Sequence, residues 1–82
     1  MGWDKVGFVK ASKIREQVLR QLSTKELTPK DIAKSIGAHF PQVSLALKEL
    51  NSEGLIECLT NERKKGKIYG ITSKGQDVLK KL

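Results

Sequence analysis

The chain has 82 residues, 16 of them Lys or Arg against nine Asp or Glu, for a formal charge of +7. A chain this short holds one domain and buries roughly 60% of its unfolded surface, and its positive balance favours an anionic partner, either nucleic acid or an acidic membrane surface. A hydrophobic content of 38% and a lone Cys58 exclude a disordered basic tail and an intrachain disulfide, and no apolar run reaches the roughly 18 residues that span a bilayer.

Residues 1–9 read as an apolar lead-in, with Trp3, Val6, Phe8 and Val9 packing on the domain or on a partner chain. The segment lacks the apolar h-region of a secretion signal, and with no cysteine pair the expected compartment is a reducing cytoplasm. Ser12 offers an N-cap, and Ile14, Val18, Leu19 and Leu22 recur at helical spacing, which predicts a helix over 12–23. Ser23–Leu27 is a polar connection. Thr28-Pro29-Lys30-Asp31 then combines a capping hydroxyl, a proline at the first helical position and a carboxylate in the first turn. Ile32, Ala33 and Ile36 form the buried stripe of this second helix, and Gly37 stands where a left-handed residue ends it.

His39 falls at the next N-cap, followed by Phe40, Pro41 and Gln42 in the first turn. Val43, Ala46, Leu47 and Leu50 repeat at intervals of three and four, predicting a third amphipathic helix that ends near Glu53-Gly54. Leu55–Thr60 and Lys67–Ile71 are β-compatible runs around the polar, glycine-closed segment 61–66, which predicts a hairpin. Thr72 or Ser73 caps a last helix, Ser73 with Gln76 forming a candidate capping box, and Val78, Leu79 and Leu82 supply its apolar side.

The expected fold is mainly α with a small β-hairpin: a winged helix-turn-helix made of a three-helix core, a two-stranded wing and a C-terminal helix. A single domain over 1–82 divides into a lead-in at 1–9, a helix-turn-helix at 28–53, a wing hairpin at 55–71 and the last helix at 72–82. With Val43, Leu47 and Leu50 turned to the core, Phe40, Gln42, Ser44, Leu45 and Lys48 turn outward. Gln42 suits adenine, Ser44 donates or accepts, Lys48 reaches guanine or phosphate, and Phe40 or Leu45 touches a thymine methyl. Packing on the domain or on a second protein is the other reading of those two apolar side chains. The helix start at His39, Phe40, Pro41 and Gln42 presents N–H groups and a positive dipole end to phosphate. Asn61, Arg63, Lys64, Lys65, Gly66 and Lys67 form a basic wing loop for the backbone or minor groove. Lys10, Lys13, Thr28 and Lys30 are further phosphate candidates, each with an ordinary surface or capping role as its alternative.

Leu27-Thr28-Pro29-Lys30-Asp31-Ile32-Ala33, then Gln42 through Leu50, then Glu53-Gly54-Leu55-Ile56-Glu57, resemble the winged-helix transcriptional regulators of the broad MarR and ArsR type, small archaeal members especially. Arg63 through Tyr69 is similar to their wing, and Ile71-Thr72-Ser73-Lys74-Gly75 to the start of their last helix. The resemblance covers about Val9 to Leu82. It implies a recognition helix at His39–Ser52, a wing at Thr60–Lys67, double-stranded DNA as partner and action as a dimer on symmetric half-sites. Trp3, Phe8 or the Val78-Leu79-Leu82 face is the candidate dimer contact. Two departures stand out: Phe40-Pro41 replaces small polar residues, and Leu45 occupies a position where a polar or basic reader is common. Metal sensing of the ArsR kind is not expected, because Cys58 and His39 are the only residues of their types. No cofactor is implied. An enzyme is not expected either, since nothing pairs a nucleophile with a base and no glycine motif cradles phosphate. A protein-interaction module built on the same scaffold and an RNA-binding winged helix are the alternatives.

Overall fold

The computed structural model describes residues 2–60 and 66–82, with the side chains of residues 2–4 excepted. Along the chain run α1 (Gly2–Lys10), α2 (Lys13–Thr24), α3 (Pro29–Ile36), α4 (Phe40–Ser52), β1 (Ile56–Cys58), β2 (Tyr69–Ile71) and α5 (Ser73–Lys80). The expected fold class holds, with one element added: the lead-in is itself a helix.

Local chemistry sets most of these boundaries. The Ser12 hydroxyl accepts from the Arg15 N–H and the Thr28 hydroxyl from the Asp31 N–H, satisfying donors that a helix start leaves unpaired. Gly37 ends α3 in the left-handed region, at φ 67°, a conformation open to glycine at no steric penalty. Thr72, rather than Ser73, caps α5: its hydroxyl accepts from the Gly75 N–H and donates to the Gly54 carbonyl at 2.7 Å. Ser73 is already inside the helix, so the expected capping box with Gln76 does not form.

The strands are shorter than the predicted runs. Ile56 pairs with Ile71, Glu57 with Gly70 and Cys58 with Tyr69, antiparallel, and one further bond runs from the Leu59 N–H to the Ile68 carbonyl at 2.8 Å. Leu55 is drawn out of the strand because its N–H closes the end of α4 on the Leu50 carbonyl. On the other edge of β2, Leu27 exchanges two backbone bonds with Tyr69, at 2.8 and 3.1 Å. The segment before α3 is therefore not only a polar connection but an anchor that ties the helix-turn-helix to the wing.

Val18, Leu19 and Leu22 of α2, Ile32 of α3 and Val43, Ala46, Leu47 and Leu50 of α4 meet in one buried core with Leu55, Ile56 and Val78. Val6 and Val9 of α1 join it, and Phe8, Leu79 and Leu82 pack against it from its edge. α5 sits tightly on the start of the hairpin, since a Cβ on Gly75 would lie 2.2 Å from the Leu55 carbonyl oxygen. None of the described helices is long and apolar enough to cross a membrane.

Candidate nucleic-acid interface

The outward face of α4 follows from its core stripe. At about 100° per residue, burying Val43, Ala46, Leu47 and Leu50 rotates Pro41, Ser44, Leu45, Lys48 and Asn51 away from the core, and all five are exposed. Phe40 and Leu45 are 53% and 58% exposed, so neither belongs to the core.

Two open grooves lie on this face. One, of about 580 Å³, runs along α4 between Phe40, Pro41, Ser44, Leu45, Lys48, Asn51 and Tyr69. The other, of about 520 Å³, is bounded by Thr28, Pro29 and Lys30 at the start of α3, Phe40 and Ser44 of α4, and Gly66, Lys67 and Tyr69 at the base of the hairpin. Phe40, Ser44 and Tyr69 border both. Among the described residues, three lysines line the pair of grooves and no carboxylate does.

The acids of α4 and its cap are held elsewhere. Arg15 of α2 forks onto Glu49, Nε to Oε1 at 3.1 Å and Nη2 to Oε2 at 3.0 Å, while its Nη1 donates to the Phe8 carbonyl at 2.8 Å. The guanidinium also lies 4.1 Å from the centre of the Phe8 ring. Lys5 of α1 bonds Glu53 at 2.9 Å. The hydrogen bonds from Arg15 hold the Glu49 carboxyl below its ordinary range, and the carboxylate in turn raises Arg15. Burial, with a smaller contribution from Cys58, pushes the Tyr69 phenol up, keeping it a neutral donor at the groove wall.

The start of α4 is more self-contained than its sequence suggests. The Gln42 side-chain oxygen accepts from the His39 N–H at 3.3 Å, the Gln42 N–H donates to the His39 carbonyl at 3.0 Å, and Pro41 has no N–H to offer. A phosphate there would find few free backbone donors, which shifts the work of anion binding to the lysines. Gln42 and His39 are exposed but line neither groove, so the structure does not place Gln42 among the groove residues. Phe40, Pro41, Ser44, Leu45 and Lys48 are brought together with Thr28, Lys30, Gly66 and Lys67. Lys10 and Lys13 are exposed but border neither groove. Asn61, Arg63, Lys64 and Lys65 lie outside the described residues, as does the Trp3 side chain. Sequence reading passed over Tyr69 and Asn51. Asn51 was within reach of it, being seven residues from Ser44 and three from Lys48 on the same helical stripe, whereas Tyr69 enters only through strand pairing.

No protein-family model matches the chain, and no curated protein matches it significantly. Solved structures do match. The homodimeric winged helix-turn-helix DNA-binding domain of a possible ArsR-family transcriptional regulator from Mycobacterium bovis has a TM-score of 0.71 at 30% identity, over 96% of this chain and 69% of that one. The transcriptional regulator BldR from Sulfolobus solfataricus matches at TM-score 0.79 and 20% identity, over 95% of this chain and 58% of its own. ZitR from Lactococcus lactis matches at 0.74 and 26%, over 85% and 49%. The chain thus spans about half the length of the larger regulators, 49% of ZitR and 47% of a MarR family transcription regulator.

Proposed function

Because the chain belongs to the winged helix-turn-helix transcription regulators of the MarR/ArsR kind, we propose that it binds double-stranded DNA, with α4 in a major groove and the hairpin on the neighbouring backbone. The observation that supports this reading is the pair of grooves lined, among the described residues, by Lys48 of α4 in one and by Lys30 of α3 and Lys67 before β2 in the other, with no carboxylate. Like charges gathered around open concave surface suit a polyanion. The basic segment Arg63, Lys64 and Lys65 extends the same charge along the sequence, and cations of this kind suit the DNA backbone.

A binding role, not a catalytic one, is the consistent reading. The homodimeric state of the Mycobacterium bovis domain supports a dimer on paired half-sites for this chain as well. Of the candidate contact residues, Val78 is buried, and Phe8, Leu79 and Leu82 are partly buried against their own core. A protein-docking role for the same surface is the second reading, and the exposure of Phe40 and Leu45 is what favours it.

Titrating a random-sequence DNA duplex at several salt concentrations separates these readings. Duplex binding predicts that log affinity falls linearly with log salt, by about 0.9 per phosphate neutralised. No binding at low salt removes the DNA reading, and tighter binding to an RNA duplex of equal length redirects it to RNA.

A further inference from the structure

Phe40 and Leu45 are exposed on α4 and are absent from the core and from the side chains packed against it. Leu45 stands about 150° around the helix from the core stripe, near the outermost ridge, and Phe40 lies on the flank toward Tyr69. Their immediate groove neighbours are Ser44, Lys48 and Asn51, with Lys30 and Lys67 beyond Phe40. Two exposed apolar side chains flanked by lysines, with no carboxylate among the described residues lining either groove, fit a surface that is anionic at its edges and carries isolated apolar groups between them. The major groove of DNA is such a surface, and its apolar groups are the C5 methyls of thymine.

We infer that α4 selects its site chiefly through C5 methyl groups, with Leu45 and Phe40 packing on thymine methyls. The inference rests on the duplex-binding reading above and says what that site recognises. Asn51, on the stripe of Ser44 and Lys48, carries the donor and acceptor that match the N6 and N7 edge of adenine, which makes A·T pairs the favoured neighbours. Leu45 and Phe40 stand about 7.5 Å apart along the helix axis and about 140° apart around it, so they reach separate positions in the groove. The methyl of 5-methylcytosine projects into the groove from the same ring position, so it substitutes for the methyl of thymine, whereas uracil does not.

The test begins with a preferred duplex enriched from a random pool. That duplex is remade with deoxyuridine for thymine, one position at a time, which removes the methyl and leaves base pairing intact. Affinity falls about fourfold at each contacted position, the equivalent of about 0.8 kcal/mol for one buried methyl-sized group, with the salt dependence unchanged. Leu45→Ala and Phe40→Ala each erase the thymine–uracil difference at one position while keeping the unfolding temperature of the parent. Cytosine at a contacted position binds more tightly once methylated at C5. Equal affinity for the thymine and uracil duplexes overturns the inference, as does a difference that survives in both variants or an enriched pool without thymine preference. In those outcomes duplex binding itself stands. Absence of any duplex binding at low salt overturns the duplex reading and this inference together.

Discussion

The two flanks of α4 handle charge in opposite ways. Toward α1 and α2, Glu49 and the capping Glu53 are each met by a cation, Arg15 and Lys5, at 2.9 to 3.1 Å. Toward α3 and β2, Lys30, Lys48 and Lys67 border open grooves whose described lining holds no carboxylate. The helix therefore spends its acids on holding itself against its neighbours and leaves its outward face to cations and apolar groups. Stability and binding should be separable by substitution, because their charges sit on different sides of one helix.

The largest effect is expected on the groove side. Replacing Lys30 and Lys67 together by Glu sets like charge against phosphate, a penalty of several kcal/mol, and should weaken duplex binding by about 100-fold or more, measured by fluorescence anisotropy, with the unfolding midpoint unchanged. Lys48→Ala should cost about 1 to 3 kcal/mol if Lys48 contacts a base edge, read on an enriched duplex; an equal loss on every duplex would make it a phosphate contact instead. Arg15→Ala should do the reverse of the groove variants, lowering the urea midpoint while the folded protein keeps its duplex affinity. A matching loss of affinity would show that the clamp also sets the pose of α4.

The same clamp has a pH signature. Glu49 titrates below its ordinary value in the folded chain, so on acidification the unfolded chain takes up this proton first. The contribution of the pair is complete above the unfolded carboxylate pKa, about 4.3, and fades as pH falls through the lower folded value. Arg15→Ala should flatten that part of the acid limb in urea midpoints measured across pH. Gln42→Ala should have the smallest effect, about 0.5 kcal/mol of stability from losing its bond to the His39 N–H, and little change in affinity.

The helix-turn-helix was legible because its signals are local. Thr28 before Pro29, Gly37 after Ile36 and the Val43-Ala46-Leu47-Leu50 spacing act within one or two turns, and the structure ends its helices where they stand. The polar, charged run before Gly66 marked the hairpin in the same way. α1 was missed because Gly2 and Gly7 lower its intrinsic helicity and its apolar pattern is weak. Val6 and Val9 are buried through contact with other elements, and packing of that kind, more than propensity, stabilises most protein helices. Leu27 was read as part of a loop because its partner, Tyr69, is 42 residues away.

The amphipathic periods, caps and turn residues of this chain determined the helices from α2 onward and which face of α4 turned outward, since those depend on neighbours three or four residues apart. Tertiary structure alone decided that Glu49 would be claimed by Arg15, that Tyr69 would wall both grooves, and that Lys30, Lys48 and Lys67 would line adjoining grooves. Each of those outcomes joins residues distant in sequence, through side chains whose direction is set only once the helices have packed.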